Sequence, residues 1–311
     1  MTFLYNTVIA VVLFNLLMLL WSLIEVRQSR LIKDPWRKKE QVLMPLSGPP
    51  RATAILIHGF VDSPLGVKPL ALKLQQEGFR VVVPVVPYQT AKYWAFTRGR
   101  FNSAEYMTWL ANVIQKESNE DREKPFLVGF SMGGTLATIA TVQKSVTGTV
   151  LLAPYYGLIC GTRPLGVIAQ WLRWIIPVVP SLLGRPINDP KGRLRYRPGS
   201  GLINVGAFCQ LELLRRRAVA SVSDIQTPVA VFAAPKDRVA AYKRTAELWK
   251  DHPGRKWHTQ ARANHVLCFD YDAQTLLKET VRFFKSIQAG QDSPELVVER
   301  KILIDGRDGR I

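Results

Sequence analysis

Phe126-Leu127-Val128-Gly129-Phe130-Ser131-Met132-Gly133-Gly134 is the stretch that decides how the rest of the chain is read. Its apolar opening has the pattern of a buried strand, and Thr135 to Lys144 has the pattern of a helix. G-x-S-x-G between a strand and a helix is the signature of a nucleophile elbow. The requirement is steric. The turn is so tight that Ser131 is expected at positive φ, a strained region for a residue with a side chain. The positions two before and two after must then avoid collisions, and they are Gly129 and Gly133. Such a turn lifts the hydroxyl clear of the sheet and aims the N–H groups of the next helix at any oxyanion formed there. A plain Gly-rich turn would show the same letters, so the flanking strand and helix carry the reading.

Outward from the elbow, apolar runs alternate with one-faced helical patterns. Ala52 to Ile57, Arg80 to Val86, Thr149 to Leu152, Pro228 to Ala234 and Arg255 to Thr259 read as strands. Val67, Leu70, Ala71 and Leu74 recur at helical spacing and stop at Gly78. Asn102 to Glu105 resembles a capping box ahead of Tyr106, Trp109, Leu110, Val113 and Ile114. Ala240 to Lys250 and Asp272 to Ile287 read as further helices. This alternation implies an α/β fold, a mostly parallel central sheet with helices on both faces.

The alternation lapses from Tyr155 to about Val222, where ten Arg and Lys stand against Asp189 and Glu212. The stretch holds Trp171, Trp174 and a Pro-punctuated run from Ile175 to Pro180. It reads as an inserted helical cap above the carboxyl ends of the strands, where open sheets bind ligands. The bland alternative is a few packed helices with no special role. The expected organisation is an anchor at 1–25, a basic juxtamembrane linker at 26–51, the α/β domain at 52–288 with its cap at about 155–222, and a tail at 289–311.

Phe3 to Ile24 carries no formal charge and has about the length of one transmembrane helix. A cleaved signal peptide is the competing reading, but its basic n-region and small-x-small cleavage site are missing. Arg27, Arg30, Lys33, Arg37, Lys38 and Lys39 follow, against Glu25, Asp34 and Glu40. The positive-inside rule then puts the body in the cytoplasm behind a single-pass N-terminal anchor, and the same cluster suits an anionic membrane surface. A length of 311 residues accommodates one large α/β domain, and 47% apolar residues argue against disorder. The net charge of +18 suits nucleic acid, an anionic membrane surface or simply a basic proteome. With no nucleic-acid motif in view, the membrane surface is preferred over nucleic acid. Cys160, Cys209 and Cys268 lack metal spacing and cannot all pair, which suits reduced thiols in the cytosol.

An activated serine needs a base, and the base needs an orienting acid, in the chain order Ser, acid, His for this kind of sheet. The chain has four histidines. His58 precedes the elbow, His252 lies in a surface-type turn and His258 sits within a strand pattern. His265 falls just after the last strand, in the right place. The acid should follow the strand ending at Ala234, and Asp237 does so; Asp270 and Asp272 are reserve acids that come after the histidine. Each of these residues alone is more often structural, and their joint placement is what makes a triad. The N–H groups of Met132 and Phe60 are the expected oxyanion donors, with His58 bracing the Phe60 loop. No metal-ligand cluster, phosphate-binding loop or dinucleotide fingerprint appears, so no metal or cofactor is expected. Substrate-binding residues are left unassigned.

Together, His58-Gly59-Phe60-Val61-Asp62-Ser63-Pro64, Gly129-Phe130-Ser131-Met132-Gly133-Gly134, Thr227-Pro228 leading to Asp237, and Asn264-His265-Val266 resemble an α/β-hydrolase. More narrowly, they are similar to the small bacterial carboxylesterases and monoacylglycerol lipases. The resemblance spans about Ala52 to Ile287. It implies a Ser131–Asp237–His265 triad, an oxyanion hole from Phe60 and Met132, and an acyl-binding cleft beneath a cap. The implied activity is cofactor-free hydrolysis of carboxylic esters, lipid-like ones such as monoacylglycerols among them. A thioesterase or a proline-releasing serine peptidase would share the machinery, and a membrane-docked scaffold without catalysis is an alternative of another class. The chain departs from the family pattern at Asn264, where glycine is frequent, in its Arg-rich cap and in its N-terminal anchor.

Overall fold

Strands that are apolar at every position need cover on two faces, and the sheet is built accordingly. A computed structural model describes residues 2–118, 124–159, 169–181 and 184–290. The strands β1 (Gln41–Leu43), β2 (Thr53–Ile57), β3 (Arg80–Val83), β4 (Phe126–Phe130) and β5 (Thr149–Leu152) come before the insertion. Within it, β6 (Val178–Pro180) and β7 (Leu202–Asn204) form a separate antiparallel pair. After it come β8 (Val229–Ala233) and β9 (Arg255–Thr259). The main sheet runs in the order β1-β3-β2-β4-β5-β8-β9, parallel throughout except for the antiparallel edge strand β1.

Alternation along each strand splits the core into two layers. Ala54, Leu56, Val128 and Phe130 face one layer, completed by Leu70 and Leu74 of α2 (Lys68–Gln76) and by Leu276, Val281 and Phe284 of α8 (Ala273–Gln288). Ile55, Ile57 and Leu127 face the other. That layer is covered by α3 (Ser103–Glu117), α4 (Met132–Thr141), α6 (Val205–Ser221) and Trp249 at the end of α7 (Tyr242–Trp249). The capping box of α3 is formed, with Asn102 Oδ1 accepting from the Ala104 and Glu105 N–H groups and Glu105 accepting from the Asn102 N–H. Gly78 ends α2 at φ +90°, where a side chain would be strained.

Three stretches differ from the sequence reading. Gln41–Leu43, expected within the linker, is strand β1, hydrogen-bonded to β3. The strand expected from Arg80 to Val86 ends at Val83, because Pro84 has no N–H for the ladder. The insertion, expected to be helical, also holds the β6–β7 pair beside the short helix α5 (Pro190–Arg195) and α6. Residues 160–168, 182–183 and 291–311, and Cys160 with them, lie outside the described residues.

The N-terminal helix α1 (Thr2–Leu31) runs past the expected end of the anchor. Its residues 4–31 are long and apolar enough to cross a membrane. One face of it docks on the insertion. Asn15 Nδ2 donates to the Ile175 carbonyl (2.9 Å), Met18 is buried beside Ala95, Val178 and Leu202, and Ser22 Oγ accepts from the Ala95 N–H (3.0 Å). Leu4, Val8, Val12, Leu16 and Leu20 are exposed, as are Trp171 and Trp174 of the insertion at 76% and 78%.

Below the sheet, Phe284 stacks on Phe126 with ring centroids 4.1 Å apart and packs on Phe79 at 5.7 Å. Phe284→Ala is expected to destabilise the protein by about 3–5 kcal/mol, through lost burial plus a cavity. A lowered thermal unfolding midpoint in detergent micelles checks this; an unchanged midpoint would mean that the aromatic cluster holds little of the core together.

Candidate active site

β4 must turn into α4 at a single residue, and Ser131 sits there at φ +54° and ψ −114°. The turn is pinned by the Ser131 N–H donating to the Leu152 carbonyl (2.9 Å) and by the Ser131 carbonyl accepting from Thr135 and Tyr155 N–H groups. A methyl group on Gly133 would run into the Ile57 carbonyl oxygen, and one on Gly129 into the Gly133 carbonyl. The glycines are therefore required by close backbone approach, which is how β2, β4 and α4 come near enough to share a site.

Ser131, Asp237 and His265 come from three loops and meet, all buried. The Ser131 hydroxyl lies 2.9 Å from His265 Nε2, and His265 Nδ1 lies 2.8 Å from Asp237 Oδ2. A carboxylate can only accept, so Nδ1 carries the proton and Nε2 is left to accept from the serine. Asp237 Oδ1 is held by the Val239 and Ala240 N–H groups at 2.7 and 2.9 Å, which fixes the carboxylate plane. Met132 follows the serine at the start of α4 and Phe60 lines the same cavity, and among the described residues no acceptor takes the N–H of either. Two donors left open beside a nucleophile suit a developing oxyanion.

The other candidates have structural partners. His58 is fully buried, its Nδ1–H donating to Gly59 O (3.0 Å) and its Nε2 accepting from Val86 N–H (2.9 Å), which braces the loop after β2. His252 contacts the Ile225 carbonyl, and His258 stacks on Phe232 with centroids 4.4 Å apart. Asp270 accepts from the N–H groups of Asn188, Asp189, Asn264 and Tyr271, and Asp272 accepts from Arg262. Cys209 and Cys268 are free and buried, and burial pushes the Cys268 thiol up to about 12. Among the described residues no group of His, Cys, Asp and Glu is arranged to hold a metal ion.

A sequence profile described as "Alpha/beta hydrolase family" matches residues 54–300. The chain belongs to that family. This α/β-hydrolase is similar to the "Thermostable monoacylglycerol lipase" of Bacillus sp. (strain H-257), 23% identical over 246 residues that span 74% of this chain and 89% of that protein. Among solved structures it is similar to the monoacylglycerol lipase of Paleococcus ferrophilus (TM-score 0.68, 18% identity, covering 80% of this chain and 98% of that one). It is also similar to a soluble variant of monoglyceride lipase from Saccharomyces cerevisiae in complex with a substrate analogue (TM-score 0.65, 15% identity, covering 80% and 90%). At these identities the structural likeness speaks for the fold.

Two features of this α/β-hydrolase were not legible beforehand. Asn264 Oδ1 accepts from both the Arg238 and His265 N–H groups, at 3.0 and 2.9 Å, and so ties the acid loop to the histidine loop. Its place beside the histidine was visible, but its partner 26 residues away was not. The second is Asp62, buried on the loop after β2, whose Oδ1 accepts from the Tyr196 hydroxyl of the insertion (3.0 Å). An apolar cavity of about 340 Å³ opens on Ser131 and His265, walled by Phe60 and Phe130 and by Ile203, Phe208 and Leu211 of the insertion.

Burial pushes Asp62 up to about 7, against the lowering pull of the Tyr196 hydroxyl and nearby backbone N–H groups. Burial pushes His58 down to about 4. Their linkage to folding is opposite in sign. Between about pH 4 and 7 the folded protein holds an Asp62 proton that the unfolded chain has lost, so that term weakens stability as pH rises. From about pH 4 to 6.5 the unfolded chain holds the extra His58 proton, so that term strengthens stability as pH rises. Asp62→Asn removes the first term, and its unfolding free energy should climb more steeply with pH than the wild type's, by up to about 1.4 kcal/mol per pH unit. Chemical unfolding curves from pH 4.5 to 6.5 check this (~2 units), and parallel slopes in the two proteins would sink it.

Proposed function

We propose that this α/β-hydrolase cleaves carboxylic esters through an acyl-enzyme on Ser131. The observation that carries the reading is the unbroken hydrogen-bonded line from Asp237 through His265 to Ser131, ending in an apolar cavity. Ser131 Oγ attacks the ester carbonyl as its proton passes to His265 Nε2, and Asp237 stabilises the imidazolium and its orientation. The carbonyl oxygen takes up negative charge beside the Phe60 and Met132 N–H groups. Collapse expels the alcohol, protonated by His265, and leaves the acyl group on Ser131. Water, deprotonated by His265, repeats the attack and releases the acid and the free enzyme.

The cavity favours an acyl chain over a polar substituent, and the monoacylglycerol lipases to which the chain is similar support a lipid-like ester. Thioesters would use the same groups. A peptidase that reads a free amine is disfavoured by the acids of the insertion. Glu212 accepts from the Tyr155 hydroxyl (2.6 Å) and pairs with Arg215 (2.8 Å), while Asp189 caps α5. We take α1 as the anchor, with the basic residues from Arg27 to Lys39 on the cytoplasmic side and against anionic headgroups.

Ser131→Ala is expected to abolish both p-nitrophenyl ester turnover and labelling by a fluorophosphonate. Turnover that persists in this variant would refute the assignment. Asp237→Asn leaves the imidazole in the wrong tautomer and should lower kcat by about 10⁴-fold. Palmitoyl against acetyl esters, and oxygen against sulfur leaving groups, read the substrate class directly.

A further inference from the structure

α1 carries one acidic residue, Glu25, and its carboxylate is turned inward. Glu25 Oε1 accepts from the Gly201 N–H (2.7 Å) and Oε2 from the Ser200 hydroxyl (2.8 Å). Arg98, 2% exposed, lies 3.7 Å from the same carboxylate and donates to Ser200 Oγ (2.7 Å) and to the Leu202 carbonyl (2.8 Å). Charge-assisted bonds of this length are the strong ones, and burial shields them from water. Residues 15, 18, 22 and 25 share one helical face, so Glu25 ends the same seam that holds α1 against the insertion.

The segment gripped by Glu25 is the one that grips the loop after β2. The Ser200 N–H donates to the Val61 carbonyl (3.1 Å), and Tyr196, in the same segment, donates to Asp62. The Gly199 carbonyl takes the Ala91 N–H (2.9 Å), and Gln89 Oε1 takes the Val61 N–H (2.9 Å). Val61 sits at φ +46°, a β-branched residue in the left-handed region. Such a conformation persists only where the surroundings over-determine it. Phe60, the proposed oxyanion donor, is its neighbour in sequence. A continuous set of bonds thus runs from a carboxylate on the apolar N-terminal helix to the strained residue beside the oxyanion donor.

We infer that Glu25 is a positioning residue for the reaction: through residues 196–201 it holds Val61, and hence the Phe60 N–H, where the oxyanion forms. The inference rests on the ester-hydrolase reading of Ser131. It makes α1 part of the working enzyme as well as an apolar segment. Tyr196, Pro198 and Ser200 of the gripped segment also line the cavity, but the Phe60 N–H acts only on the oxyanion, so loss of the Glu25 contact should lower kcat far more than it raises KM.

The test uses the full chain in phosphatidylcholine–phosphatidylglycerol vesicles. In Glu25→Ala, kcat for p-nitrophenyl butyrate should fall about tenfold with KM within about twofold, and amide exchange over residues 59–63 should quicken. Glu25→Gln keeps an oxygen on the Gly201 N–H and should recover most of both. Leu20→Ala, on the exposed face of the helix, should match the wild type. Where Glu25→Ala does not insert, Ser200→Ala carries the test, expected to move kcat and exchange in the same direction by about threefold. Unchanged exchange at 59–63, or quickened exchange with unchanged kcat, overturns the inference. A wild type that neither turns over esters nor takes a fluorophosphonate tells against the hydrolase reading instead, and the exchange measurement still decides whether Glu25 holds the loop.

Discussion

Ser131 is forced to positive φ because the chain must leave β4 and enter α4 at one residue, with the Gly133 backbone pressed against the Ile57 carbonyl. Everything in the site inherits its position from that contact. It brings the end of β2 within reach of the elbow, so that Phe60 of the loop after β2 lines the same cavity as Ser131. The apolar strands around it then do the rest, since the parallel order β2-β4-β5-β8-β9 delivers the later loops to the same edge. Strain at the serine is thus held by the burial of the two core layers.

Much of this was legible in the letters because the constraints were local. Glycines at 129 and 133 announce a close approach, and the order of Ser131, Asp237 and His265 follows from which strand each one ends. The fold class was readable for the same reason, since buried parallel strands need unbroken apolar runs. Illegible features share one property, dependence on partners far along the chain. β1 has three residues, too few to display a period, and is a strand only because β3 offers it an edge. Asp270 looked like a reserve acid, yet backbone N–H groups occupy it, two of them, from Asn188 and Asp189, 82 and 81 residues away. Glu25 looked like the polar flank of an apolar helix, and its partners lie 175 and 176 residues away.

The loop after β2 concentrates the polar costs of the fold. His58 and Asp62 are both buried there, and burial draws each toward its uncharged form, lowering the imidazole to about 4 and raising the carboxyl to about 7. Burying two groups in their uncharged forms avoids the far larger penalty of burying ions.

The bond from Asn15 to the Ile175 carbonyl sets a depth. A helix rises about 1.5 Å per residue, so the stretch from Leu4 to Asn15 covers only about 16 Å, half of a hydrocarbon core about 30 Å thick. If α1 crosses a bilayer, the turn that carries Trp171 and Trp174 cannot hover above the headgroups. It rides low among the acyl tails, and an amphiphile could slide laterally toward the protein without first dissolving in water.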